Sequence, residues 1–524
     1  MRGIIFILGL FASQFLSAQT YLDFLSQVQF PVRSASLTRY ADDAGNEYAL
    51  IGTYDATVIV DISDPSSPET LFTVPGPAGI WREMKTYNHH AYITNETDSG
   101  LQIIDLTDLP ASIESKFLHF AGEDSLQKKH TIFIDEQGYA YLFGGNTDSG
   151  GATILDLNID PMNPPKVGGY DDNYIHDGFV RGDTLWAAFI YTGQVGVVDM
   201  SDKANPQLLA LQTTPSAFTH NCWLSDDGKY LFTTDEKPGA YVTSYDVSDL
   251  TDIQELGRFQ SHPGTDVIPH NVYWINNYLV IAYYRDGVVI VDATKPDNLV
   301  KVGYYDTSAF PSAGIFNGCW GVDPYLPSGT IIASDIEEGL FMLQPTYHRA
   351  SYLEGTVFDE LNGANTVNAK VEIMATDDFD LTDFTGTFKT GTSEAGVYDI
   401  RISKEGCYTE IIPDVELIAG ETYTLEATIA CTLLVSTTDI EQVAQIEAFP
   451  NVFQTFSEIQ YVLPASVKHA EIFVFNAAGQ KVDALEIFER AGKIAFGFNY
   501  DSGMYLLKLI TDGEALKTFK VVKG

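Results

Sequence analysis

Short apolar runs recur along the chain, each closing on an aspartate and a turn. They read TVIVDISDPSSP from Thr57, LQIIDLTDLP from Leu101, ATILDLNIDPMNPP from Ala152, VGVVDMSDKANP from Val195, VTSYDVSDL from Val242 and VVIVDATKPDNL from Val288. A degenerate copy, LFMLQP, begins at Leu340. The aspartates Asp61, Asp105, Asp156, Asp199, Asp246 and Asp292 set a period of about 43 to 51 residues. A second apolar run precedes each, as in AYITNETDSG and YLVIAYYRDG, and a shorter one follows, such as LLALQTT. Four short strands per unit at this period predict an all-β chain whose units are propeller blades. A small sheet cannot bury both faces alone, so neighbours must stack around an axis. Seven copies predict seven blades. The segment LSQVQFPV, from Leu25, matches an outer strand and is expected to complete the last blade and close the ring. A solenoid of the same period would need capping repeats, which the sequence lacks. The recurring aspartates are read as acceptors for turn amides.

The first strands of successive units begin KHTIF, IHDGF, THNCW, PHNVY and FNGCW. This aligns His130, His176, His220 and His270, with Asn317 in the histidine's place in the last unit and Arg82 there in the second. Three residues on stand Phe133, Phe179, Trp223, Tyr273 and Trp320. Regular alternation predicts that the aromatics pack between blades while the histidines approach the axis. Loops joining second and third strands, such as NETDSG, TDEKPG and SDIEEG, belong to the same end of the ring, adding Asp235 and Asp335 to the ligand-binding candidates. Imidazoles beside carboxylates suit a divalent transition metal, with His130, His176, His220 and His270 as its ligands. Asp and Asn oxygens alone would suit calcium. The competing reading is structural: each histidine bonds the neighbouring blade's backbone and holds the inner strand in register. As an acid–base pair, Asp235 and Glu236 are less favoured than as solvated hairpin residues. With no GxSxG, phosphate-binding loop or CxxC, no catalytic residue is assigned and a binding module is favoured. A metal-dependent hydrolase or lyase centred on the histidines is the alternative.

The start of the chain, MRGIIFILGLFASQFLSAQT, has the basic residue, apolar run and small residues of a secretory signal peptide over residues 1–19. No later segment predicts a transmembrane helix. With 71 acidic and 30 basic residues, the net charge of −41 repels phosphate backbones and disfavours nucleic acid as a partner. Of four cysteines, Cys407 and Cys431 are candidates for a disulfide in an oxidising compartment, while Cys222 and Cys319 read as core residues.

The VIVD, IIDL and VVDM cores resemble the LVIVD-repeat proteins of bacterial surfaces. With IWREMKTYNHHAYITNE, from Ile80, they resemble more narrowly the choice-of-anchor B family, over about residues 20–348. That resemblance implies a propeller joined to a surface anchor, and no shared activity. LEGTVFD and TSEAGVYDI, within 352–432, resemble the carboxypeptidase regulatory-like (transthyretin-like) module, a small β-sandwich. After a linker at 433–445, residues 446–524 resemble the type A C-terminal sorting domain of the type IX secretion system, a second small β-sandwich. The match is carried by Phe449-Pro450-Asn451, by Asn476 to Val482 and by Gly503 to Lys508, although Val452 replaces a common proline. This implies passage through the periplasm, recognition by the type IX machinery, and secretion or attachment at the outer-membrane surface. The expected partner of the mature protein is an extracellular protein or glycan.

Overall fold

A computed structural model describes residues 21–97, 99–119, 128–308, 316–431, 445–463, 467–477, 479–487, 489–511 and 514–524. The expected leader, and all but the last residue of the expected linker, lie outside them. The described chain is all-β apart from a single 3-10 turn at Asp148–Gly150.

Residues 22–345 form seven four-stranded antiparallel sheets. Six are built from consecutive strands. In the seventh, Cys319–Asp323, Ile331–Asp335 and Gly339–Pro345 are joined by the N-terminal strand Leu22–Val28, which pairs antiparallel with Gly339–Pro345. The innermost strands are Ser34–Ala41, Met84–Tyr87, Thr131–Ile134, Asp177–Arg181, Thr219–Leu224, Asn271–Ile275 and Cys319–Asp323. Each touches the next, and the last touches the first. The result is a closed, propeller-like ring. Because the sheets stack face against face, a central strand is covered on both sides and its sequence reads as a continuous apolar run. Val288–Asp292 (VVIVD) is buried at every position.

The turn aspartates do what their position predicts. Asp61, Asp105, Asp156, Asp199, Asp246 and Asp292 each accept the amide of the residue two further on, over 2.8–3.0 Å. Asp292 does more. It is fully buried, pairs with Arg349 at 3.0 Å, and accepts the Ala350 amide on its other oxygen at 2.9 Å.

Ala350 leads into a module within the same compact unit, which runs to Ala430. Ser351–Asp359 lies between Thr387–Thr392 and the parallel Thr422–Ile429, and a four-stranded sheet contains Lys370–Ile373 and Gly396–Ser403. Asn298 fastens the module to the sixth sheet through Glu354 (2.9 Å) and the Thr390 carbonyl (3.0 Å). Cys407 and Cys431 are disulfide-bonded, whereas Cys222 and Cys319 are free and buried. The second compact unit, from Cys431, contains a three-stranded and a five-stranded sheet around Ile459, Ile472, Val474, Leu507 and Leu509.

Candidate functional site

The four histidines come together as one arc at the end of the ring's axis. Successive imidazoles lie 4.2 Å (His130–His176), 4.5 Å (His176–His220) and 4.3 Å (His220–His270) apart by ring centroid. Each sits at an irregular start of its inner strand. In the fifth sheet Thr219 pairs with Asp235 and Asn221 with Thr234, leaving His220 as the extra residue of a bulge. The bulge breaks alternation. The aromatics three residues on therefore also meet below the histidines, on the axis, while Phe179 and Tyr273 stay in the cores between sheets as expected. Trp223 touches Phe179 (4.5 Å), Tyr273 (4.9 Å), Phe133 (5.9 Å) and Tyr325 (6.0 Å), closing the ring like a floor.

The seventh sheet corrects the alignment. Cys319 pairs with Asp335 and Gly321 with Ser334, the register of Thr219 and Asn221, so Trp320 occupies the histidine position. Its ring lies 5.2 Å from His270. Asn317, expected there, is buried three residues earlier, and FNGCW matches THNCW only in letters. Arg82 holds the ring position in the second sheet, but its side chain turns away. Its Nη2 donates to the Pro77 carbonyl (2.5 Å), and Gly76 leaves it room, since a Cβ there would lie 2.6 Å from Nη1.

The hydrogen bonds fix which edge of each imidazole faces the axis. His220 Nδ1 bonds the His270 carbonyl at 3.2 Å, and His270 Nδ1 bonds the Trp320 carbonyl at 2.5 Å. A carbonyl can only accept, so both Nδ1 atoms carry the hydrogen and both Nε2 atoms carry a lone pair. Burial pushes both pKa values down to about 3 and holds His176 well below the usual imidazole range, so all three are neutral. Glu236 lies opposite, 3.8 Å from His220 Nε2 and 3.8 Å from His270 Nε2, and accepts a hydrogen bond from the Tyr284 hydroxyl at 2.6 Å. Lone pairs thus face the Glu236 side chain, an arrangement that a cation between them would satisfy.

The donor geometry suits a metal ion. Ligand atoms of His176, His220 and Glu236 all lie within 4.8 Å of one another. His130 Nε2 is 3.2 Å from His176 Nε2, whereas two nitrogens on a tetrahedral zinc ion lie about 3.3 Å apart. His130 Nδ1 bonds Glu96 at 2.5 Å, the outer-shell carboxylate that orients a ligating imidazole. Burial opposes charge on His130, yet the Glu96 hydrogen bond prevails and raises its pKa.

The expected loop carboxylates divide differently. Asp235 and Asp335 are fully buried loop braces. Asp235 accepts from Thr214 Oγ1 (2.6 Å) and the amides of Ser216 and Phe218 (both 2.9 Å). Asp335 accepts from Thr307 (2.8 Å) and from the amides of Glu337 (3.0 Å) and Glu338 (2.9 Å). Neither is a solvated hairpin residue, and neither reaches the imidazoles. Glu236 and Glu96 do. They follow Thr-Asp and Thr-Asn at the end of the second strand in the fifth and second sheets, so TDE against TNE was the readable signal.

Glu83 and Asp177 follow the rim positions by one residue, and Lys85 stands at the register of the floor aromatics. Trp320 Nε1 donates to Glu83 at 3.2 Å, and Lys85 stands 5.9 Å over the Tyr273 ring. Burial raises the carboxyls of Glu83 and Asp177. Glu83, Lys85, Phe133, Trp223 and Tyr325 are partly buried.

Among described residues, no helix is long and apolar enough to cross a membrane. The family comparison finds an LVIVD repeat over residues 45–75, which covers the second to fourth strands of the first sheet. No curated protein matches the chain. What the comparisons show is therefore an LVIVD repeat within an all-β, propeller-like repeat fold.

Proposed function

We propose that this is an exported, seven-bladed propeller protein that binds its ligand at the histidine rim, with a divalent transition metal held there by His176, His220 and Glu236. His130 and His270 stand beside these three, and Glu96 orients His130. The single observation that carries this reading is the convergence of bare Nε2 edges on a carboxylate, with every Nδ1 hydrogen on His220 and His270 already committed to a backbone carbonyl. The same carbonyl bonds that hold neighbouring blades together also aim the lone pairs, so the structural and the metal-binding roles coincide. A bound ion would polarise an oxygen ligand from the open mouth. The two C-terminal modules are read as small sandwiches, the first a spacer and the second a type IX sorting domain. The leader and the oxidised Cys407 and Cys431 support export.

Calorimetric titration of the chelator-stripped protein with zinc tests the centre. One ion per chain is expected, with binding lost in His176→Ala and Glu236→Gln variants that keep the parent's circular dichroism. Zinc binding undiminished in both variants would rule the site out. Deleting residues 446–524 is expected to strand the protein in the periplasm; unchanged secretion would remove the sorting role. A hydrolase or lyase is the second reading, favoured by the raised carboxyls of Glu83 and Asp177 beneath the rim, and it demands turnover that disappears with the metal.

A further inference from the structure

The end of the ring that carries the histidines also carries four of its exposed aromatics. Tyr54 is 45% exposed, Trp81 47%, Tyr191 77% and Phe316 46%. Tyr54 joins the second and third strands of the first sheet, at the register of Glu96 and Glu236, and Tyr191 lies in the same loop of the fourth sheet. Trp81 immediately precedes Arg82, and Phe316 precedes the seventh inner strand. Among the described residues, the turns at the other end of the ring, such as Asp42–Asn46, Asn88–His89 and Asn276–Asn277, present no exposed large aromatic. The rim aromatics are also built into platforms. Tyr191 packs on Tyr174 at 4.7 Å, two residues before His176, and Phe316 packs at 5.7 Å on Tyr284, which in turn lies 4.9 Å from His270.

Exposed carboxylates line this face. Exposed Asp55 adjoins Tyr54, exposed Asp171 and Asp172 precede Tyr174, and Glu96 keeps 41% of its side chain exposed. Of the basic side chains in neighbouring loops, Arg33 pairs with Glu337 and Arg285 with Asp266, while Lys237 donates to the Ser216 and Ala217 carbonyls. Flat aromatic faces receive the C–H face of a pyranose ring, and exposed carboxylates attract protonated amines while repelling uronates and sulfates. We propose that the rim face binds an amino-sugar oligosaccharide, its rings stacked on Trp81, Tyr191 and Phe316 and its ammonium groups facing Asp55, Asp171 and Glu96. This inference rests on the preceding reading only in taking the rim as the binding face.

Calorimetry of the full chain with a glucosamine hexamer, an N-acetylglucosamine hexamer and a galacturonic acid hexamer tests it, with metal content measured on the same samples. The glucosamine hexamer is expected to bind, about tenfold more tightly than the acetylated one, and to weaken about tenfold in Trp81→Ala and in Tyr191→Ala. Both variants are expected to keep the parent's metal. No binding of the glucosamine hexamer by metal-loaded protein, equal binding of the galacturonate, or unchanged affinity in both variants overturns the inference and leaves the metal centre standing. Binding of the glucosamine hexamer by a parent that holds no metal supports it and removes the metal centre alone.

Discussion

Two residues recur through the repeats of this ring, the aspartate that ends the third strand in six sheets and the histidine that opens the first in four, and they end in opposite conditions. Each aspartate oxygen at a turn finds an amide, and nothing about it asks for a further partner. His220 and His270 use one ring nitrogen in the same way, on the backbone of the next sheet, but the other nitrogen remains an acceptor facing acceptors. Recurrence alone does not separate structure from function in a repeat protein. Saturation of hydrogen bonds does.

The largest expected effect sharpens the structural half of that contrast. Asp292 is the one turn aspartate that is buried against a second module, so Asp292→Ala strands Arg349 and the Ala350 amide and is expected to cost about 3 kcal/mol in urea unfolding. It should also expose the segment between Pro345 and Ser351 to limited proteolysis. Wild-type stability in that variant would show that the module is held by its other contacts. Next comes pH. His220 and His270 have pKa values near 3 in the fold and about 6.5 in the unfolded chain. Between those values the unfolded chain binds more protons, so stability is full above about pH 6.5 and each histidine removes about 1.4 kcal/mol per pH unit below it. A His220→Gln/His270→Gln variant should flatten the slope of melting temperature against pH from 6.5 to 4.5; an unchanged slope contradicts neutral burial. Smaller still, His220→Phe loses one backbone bond, about 1 kcal/mol, yet should lose the metal completely. Asp199→Ala, at an exposed turn, should leave both melting temperature and metal content close to the parent.

The ring itself was legible because its signal is periodic: apolar runs, turn aspartates and an N-terminal strand that pairs with Gly339–Pro345 all follow from local sequence. The histidine arc was legible for the same reason. What the letters concealed was register. A one-residue bulge at His220 turns the aromatics onto the axis, and the same bulge at Trp320 places an indole, not Asn317, at the rim. Arg82 keeps the ring register, but Gly52 and Gly76 open a pocket that draws its side chain outward, and Gly52 lies in the preceding sheet. Glu236 was hidden because an acidic residue in a hairpin is ordinarily solvated; only the fold brings Tyr284 and two imidazoles against it.

The central claim is that imidazole Nε2 edges bind a cation, and X-ray absorption at the metal edge of the loaded, full-length protein reads it most directly. The account predicts a first shell of nitrogen and oxygen with the multiple-scattering pattern of at least two imidazoles, and loss of the bound ion in His220→Gln. A shell of oxygens alone, or an identical spectrum in His220→Gln, would place the ion on the loop carboxylates and contradict it.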